Sequence, residues 1–263
     1  MRKFINYKKP TLCLLLLSAM FAACKKEEQN VRKAMHVVVN GYNGSANALL
    51  VTIDTTVYGG DKVLKPIAKF EFNVAYAYTE KQQQKTVVIT DTVTKQVIFT
   101  KSLPPGDTRA AINFLYINGK VMEVQSPTPD ISTNKLGFYI HYTDNETPLD
   151  ISLYRMDNAT GKEYRTYLAK NVKPGSWIYV DYLAGADFNT KTNVDDAASL
   201  CFTRTGTTDQ WAFEDDESKS KMPVSGIQLP LAGEKGLVQQ YVITPGPYML
   251  DYARMYFHPD RVR

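Results

Sequence analysis

The sequence predicts an all-β chain folded as two tandem antiparallel β-sandwich modules. Three observations point there. Short β-branched and aromatic runs recur along the chain with turn-forming residues between them. One run, residues 70–79, alternates apolar and polar cleanly. A polar segment carrying two prolines divides the β-rich stretch near its middle. Many short strands separated by turn signals, with little helical periodicity, form the pattern of packed sheets.

Taken in order, residues 36–39 and 49–53 are β-branched runs separated by the turn-rich Asn40-Gly41-Tyr42-Asn43-Gly44-Ser45. In residues 70–79, Phe70, Phe72, Val74, Tyr76 and Tyr78 point one way and Glu71, Asn73, Ala75, Ala77 and Thr79 the other. Period two over this length predicts a half-buried antiparallel strand. Residues 86–90 and 96–100 are two more strands. Residues 111–117 and 120–124 flank Asn118-Gly119, the dipeptide a type I′ hairpin demands because both central positions need positive φ. The first module is thus expected over residues 35–125 and a linker over residues 126–135, where Pro127 and Pro129 lie. Strands resume at 136–142, 149–156, 164–168 and 177–183, giving a second module over residues 136–263. Residues 185–236 read as a long irregular insertion, with a short helix expected over residues 193–202. Pro105-Gly106 and Pro174-Gly175 follow comparable strand pairs and read as type II turns feeding a strand, as does Pro245-Gly246, so the modules are expected to be related copies. The architecture expected is of the immunoglobulin-like or transthyretin-like sort.

The N-terminus has the layout of a secretory signal over residues 1–23: basic Arg2, Lys3, Lys8 and Lys9, an uncharged apolar run over residues 11–23, then Ala22 and Ala23 directly before Cys24. The apolar run is shorter than the roughly 20 residues a bilayer span needs. A cysteine at the cleavage point is a lipidation site, and two or more acyl chains (palmitate among them) anchor stably where one does not. Residues 24–34 then form a charged, lipidated tether. Within it, Lys26, Glu27 and Glu28 follow Cys24 in a pattern that resembles the surface-export signal of Bacteroidota outer-membrane lipoproteins. Phe21 departs from the Leu usual three residues before the cysteine. The resemblance is limited to the first thirty or so residues, and it implies an outer-membrane protein, lipid-anchored and facing the cell exterior.

The formal charge of +4 is carried entirely by the four basic residues of the signal, so the remainder is neutral. A neutral chain lacks the basic patch needed to neutralise phosphates, which argues against nucleic acid as a partner. With Cys13 in the signal and Cys24 lipidated, Cys201 is left without an intrachain disulfide partner, and its apolar setting, Ser-Leu-Cys-Phe, predicts a buried inert thiol. The three histidines, His36, His141 and His258, are not spaced as metal ligands, and no nucleophile elbow or phosphate loop is present. No catalytic residue, metal or cofactor is expected. The acidic run Glu214-Asp215-Asp216-Glu217 lacks the alternate spacing of a calcium loop and reads as a solvated segment balanced by Lys219 and Lys221.

Aromatic residues carry the functional expectation. Trp177 and Tyr179 share one face of a strand whose other face bears Ile178, Val180 and Tyr182; Trp211 and Phe213 sit beside the acidic run. If exposed, such rings stack on the apolar faces of sugars. The chain is therefore expected to be a non-catalytic surface binding module, its partner a glycan or another polymer, or a surface protein complex. The alternative is a structural or adhesive protein related to fimbrial subunits.

Overall fold

A computed structural model of the chain describes residues 32–79, 85–188 and 198–255. Cys24, Lys26, Glu27 and Glu28 lie outside the described residues, as does His258. The fold is two tandem β-sandwiches.

The first sandwich is built from β1 (Arg32–Asn43), β2 (Leu49–Ile53), β3 (Thr56–Tyr58), β4 (Ala68–Thr79), β5 (Lys85–Asp91), β6 (Val97–Leu103), β7 (Arg109–Ile117) and β8 (Lys120–Glu123). The second is built from β9 (Asn134–Ile140), β10 (Leu149–Met156), β11 (Glu163–Val172), β12 (Trp177–Tyr182), β13 (Ser199–Arg204), β14 (Lys221–Pro223), β15 (Val238–Pro245) and β16 (Leu250–Arg254). Two single-turn helices, α1 (Glu217–Ser220) and α2 (Val224–Ile227), flank β14.

The two sandwiches share one wiring. The first pairs its strands as β4-β1-β7-β8 and β3-β2-β5-β6; the second as β12-β9-β15-β16 and β11-β10-β13-β14. Adding eight to each label of the first gives the second. Pairing is antiparallel except at one place in each copy, where the first strand runs parallel to the seventh: β1 with β7 and β9 with β15. The Pro-Gly turns do not mark this repeat. Pro105-Gly106 precedes β7, Pro174-Gly175 precedes β12, the counterpart of β4, and Pro245-Gly246 sits inside the last hairpin. Gly106 and Gly175 hold the positive φ a type II turn needs, but Gly246 is not in that region. The Asn118-Gly119 hairpin forms as expected, with φ of 52° and 72°.

Each sandwich has its own core. In the first, the inward residues of β1 (Met35, Val37, Val39) and β7 (Ile112, Phe114) meet Val51, Ile53, Val87 and Ile89 from the opposite sheet. Gly41 continues the inward row of β1 and has no room for a Cβ, which would overlap the Phe114 carbonyl oxygen and the Phe70 ring. In the second, Leu136, Phe138 and Ile140 of β9 and Tyr241 and Ile243 of β15 meet Ile151, Leu153, Leu200 and Phe202. Each fully buried side chain of this size stabilises by roughly 1.5–3 kcal/mol relative to exposure. The helix expected over residues 193–202 is corrected where it overlaps described residues: Ser199–Arg204 is the interior strand β13, because Leu200 and Phe202 are needed in the core row.

A third apolar cluster lies between the sandwiches. Tyr42, Leu115, Ile117 and Val124 of the first face Tyr139, Val242, Ala253 and Met255 of the second, with Met122 and Trp177 at the margin. The outer face of the β9–β15 sheet is therefore covered as well as its inner face, and the two sandwiches are packed together rather than strung apart. The Tyr42 ring meets His141 at 5.4 Å. Lys69 of β4 reaches Asp251 of the second sandwich at 3.4 Å. Among the described residues, no helix is long and apolar enough to cross a membrane.

Candidate functional site

The sequence places Trp177 and Tyr179 correctly on one face of β12 and Ile178, Val180 and Tyr182 on the core face. Trp177 is nonetheless not an open platform. Its ring lies 5.6 Å from Tyr139 and 5.9 Å from Tyr179, half-buried against the inter-sandwich cluster. The second correction is to Phe213, which is 0 % exposed and packs edge-on to Tyr142 in the second core. Tyr179 is 40 % exposed. Its ring crosses Gly137 on β9, where an added Cβ would come within 2.7 Å of the ring. Its hydroxyl accepts a hydrogen bond from Gln240 Nε2 at 2.8 Å. The four aromatics therefore do not form one surface.

Trp211 lines a concave site. That site is a shallow basin of about 320 Å³ on the outer face of the sheet β11-β10-β13-β14. Its construction follows from polar residues that the strand pattern would expose. On β10 and β13 the outward residues Asp150, Ser152, Cys201 and Thr203 are all buried. The connection after β13 folds back over them. Gly206 N donates to Asp150 Oδ2 (3.1 Å), Thr203 Oγ1 donates to the Thr207 carbonyl (3.1 Å), and Arg204 N donates to the Gln210 carbonyl (2.9 Å). Trp211 then pairs back onto Thr203 as an isolated bridge. The indole is thereby held at the sheet, partly exposed, and not on a free loop.

Tyr154 and Arg165 form the floor. They are cross-strand partners on β10 and β11, and the guanidinium lies 4.8 Å from the Tyr154 ring centroid. Arg165 Nη1 donates to Ser152 Oγ (2.9 Å) and Nη2 to the Thr208 carbonyl (3.3 Å), so its plane is fixed. The Tyr154 hydroxyl donates to Glu163 Oε1 at 3.2 Å. Burial first, then that carboxylate, raises the phenol above its ordinary range. On the far rim, Lys221 Nζ donates to Glu217 Oε1 at 2.7 Å. Burial pulls the ammonium down, but the hydrogen bond and the neighbouring Glu217 charge carry it above its usual value. Asp209 completes the rim.

The acidic run beside the basin is internally paired. Lys219 Nζ donates to Glu214 Oε2, and Asp216 caps α1 by accepting from Ser218 N at 2.8 Å. Among the described residues no three His, Cys, Asp or Glu side chains converge to hold a metal ion. Cys201 is buried beneath the basin, and desolvation pushes its thiol up to about 11.

The basin offers two aromatic surfaces, a fixed guanidinium, carboxylates and an ammonium around one open depression. That set suits a neutral polyhydroxylated ligand, with ring faces meeting aromatics and hydroxyls meeting charged donors and acceptors. Tyr154 and Arg165 were missed by sequence reasoning. Their signal was the alternation along β10 and β11, which puts both on the outer face.

No protein-family model matches the chain, and no curated protein does. Among solved structures, it is similar to a candidate cell-adhesion protein from Bacteroides uniformis at 14 % identity over 86 % of this chain and 97 % of that one, with a TM-score of 0.30. It is similar to a family 26 carbohydrate-binding module from Eubacterium rectale, in complex with maltoheptaose, at 12 % identity over 86 % and 99 %, with a TM-score of 0.24. A candidate adhesin from Bacteroides ovatus matches at 9 % identity over 88 % and 96 %, with a TM-score of 0.20. At such scores the likenesses carry no argument.

Proposed function

We propose that this chain is a lipid-anchored protein of the outer-membrane surface that binds a glycan, without catalysis, through the basin around Trp211. The observation that carries the reading is the placement of Trp211 and Tyr154 around one open depression of about 320 Å³ that Glu163, Arg165, Asp209 and Lys221 also line. Stacking on these rings supplies affinity; Arg165, held by Ser152 and Thr208, supplies orientation without the entropy cost of ordering a free side chain. The anchor is Cys24, with Lys26, Glu27 and Glu28 as the export signal.

Affinity electrophoresis of residues 25–263 through gels containing a panel of polysaccharides tests the binding. Retardation by at least one neutral polysaccharide is expected, and Trp211→Ala is expected to remove it while leaving unfolding within about 1 kcal/mol of the parent, as for a partly exposed side chain. Phe213→Ala, by contrast, is expected to cost about 3–5 kcal/mol of stability as a core truncation. Retardation by none of the panel, or retardation that survives Trp211→Ala, rules the basin out. Surface anchoring is tested by palmitate labelling and protease accessibility on intact cells, with Cys24→Ser expected to abolish the label.

One observation favours an adhesive reading instead. β4 is a twelve-residue outer strand with no partner on its far edge among the described residues. An edge of that length is a template for strand addition. Concentration-dependent self-association of the same preparation would support that reading over the first.

A further inference from the structure

A second cavity, of about 390 Å³, opens in the angle between the two sandwiches. Its floor is the outer face of β4-β1-β7, on which cross-strand registers align Ala75 with His36 and Arg109, Asn73 with Val38 and Ala111, and Glu71 with Asn40. The middle of that floor is kept low by Val38 and by the exposed Ala75 and Ala111. The wall comes from the other sandwich: Arg254, near the end of β16, lines the same cavity. Its Nη1 donates to Gln228 Oε1 at 2.6 Å, which anchors the guanidinium at the cavity wall. The wall itself is held against the floor by Lys69, which pairs with Asp251 and covers the Tyr252 ring at 5.0 Å.

We infer that this cleft is a ligand site for a carboxylate-bearing sugar, a uronic acid, held jointly by Arg109 of the first sandwich and Arg254 of the second. Two guanidiniums on one cavity match a planar carboxylate in the fork geometry that lysine cannot provide. Glu71 sets the charge class: two cations against one anion fit a monoanion, and a dianionic phosphate meets the Glu71 carboxylate as well as the arginines. Asn40, Asn73 and His36 offer donors and acceptors at the spacing of a sheet face, where sugar hydroxyls are read by amide and imidazole side chains. The site exists only while the sandwiches are packed together, because neither contributes both arginines. It is separate from the Trp211 basin, which lies on a different sheet.

The test is calorimetric titration of the full-length lipidated protein in detergent with sodium glucuronate, with glucose and inorganic phosphate as comparison probes. Saturable binding of glucuronate is expected, weaker for phosphate, and any heat from glucose, a neutral sugar of the class the Trp211 basin suits, is expected to be unaltered by Arg109→Gln. Arg109→Gln and Arg254→Gln are each expected to weaken glucuronate at least tenfold. If Arg254→Gln loosens the inter-sandwich contact, Arg109→Gln, on the exposed sheet face, still reads the site. Trp211→Ala is expected to leave the titration unchanged, which separates this site from the basin. No saturable heat with glucuronate, phosphate binding as tightly as glucuronate, affinity unaltered by Arg109→Gln, or loss on Trp211→Ala would each overturn the assignment.

Discussion

Truncating Leu115 to alanine tests whether the two sandwiches unfold as one unit. Leu115 is 0 % exposed but points outward from the first sandwich, into the cluster shared with Tyr139, Val242 and Met255. Leu→Ala at a fully buried site costs about 2–5 kcal/mol, the spread reflecting how far the surroundings collapse. Taking about 3 kcal/mol, and a urea m-value near 3 kcal/mol/M for a chain of this size, the midpoint falls by about 1 M. The probe is built in. Both tryptophans, Trp177 and Trp211, belong to the second sandwich, and Trp211 stands on the sheet away from the shared cluster. In a Trp177→Phe background, Trp211 fluorescence reports the second sandwich alone. A change made in the first sandwich is expected to lower that midpoint by about 1 M. A Trp211 midpoint that stays put while circular dichroism shows an earlier first transition would mean that the sandwiches are independent, and the reasoning from the shared cluster would fail.

Three further outcomes follow from the geometry. Gly137→Ala is expected to destabilise by about 1–3 kcal/mol, because its Cβ would press on Tyr179, and a double-mutant cycle with Tyr179→Ala in thermal unfolding should recover most of the loss. At pH 8, native Cys201 is expected to resist iodoacetamide, since a thiol at about 11 is ionised to roughly one part in a thousand; unfolding in urea should release rapid labelling. His141 is held below its ordinary pKa by burial against Tyr42. The unfolded chain therefore binds its proton first, and stability contributed above about pH 6.5 is lost as pH falls through the lower folded value. His141→Phe should flatten urea midpoints measured between pH 5 and 7.

The strands most legible in the sequence were those with one wet face. β4 alternates because Glu71, Asn73 and Ala75 meet solvent while Phe70 and Phe72 fill the core, and the Asn118-Gly119 hairpin announced β7 and β8. β13 and β15 were not legible for the opposite reason. β15 is covered on both faces, by the second core and by the inter-sandwich cluster, so Gln239 and Gln240 are buried and no alternation survives. β13 is covered outside by the 205–211 connection, which turned its pattern into a short apolar run that a helix reading also fits. The site was legible in part. Trp211 stood out as an aromatic in a polar stretch, but its partners Tyr154 and Arg165 are joined by strand register, which local pattern does not encode. Trp177 was assigned to the right face; what half-covers it, Tyr139 on the neighbouring strand and the inter-sandwich cluster, is set by strand pairing and domain packing that local pattern does not encode.

The parallel pairing of first and seventh strands has a kinetic consequence. β1 cannot be completed on that side until β7 has emerged, and β9 must wait likewise for β15. Each copy is thus dominated by non-local pairings, the topology that folds in milliseconds to seconds rather than microseconds. As the chain is delivered N-terminus first, the first sandwich is free to close once residue 123 is out, yet Tyr42 and Leu115 remain an uncovered sticky patch until Val242 arrives. For that interval the emerging chain exposes an apolar surface prone to mispairing with a neighbour, and a holdase that binds apolar patches would act on it there.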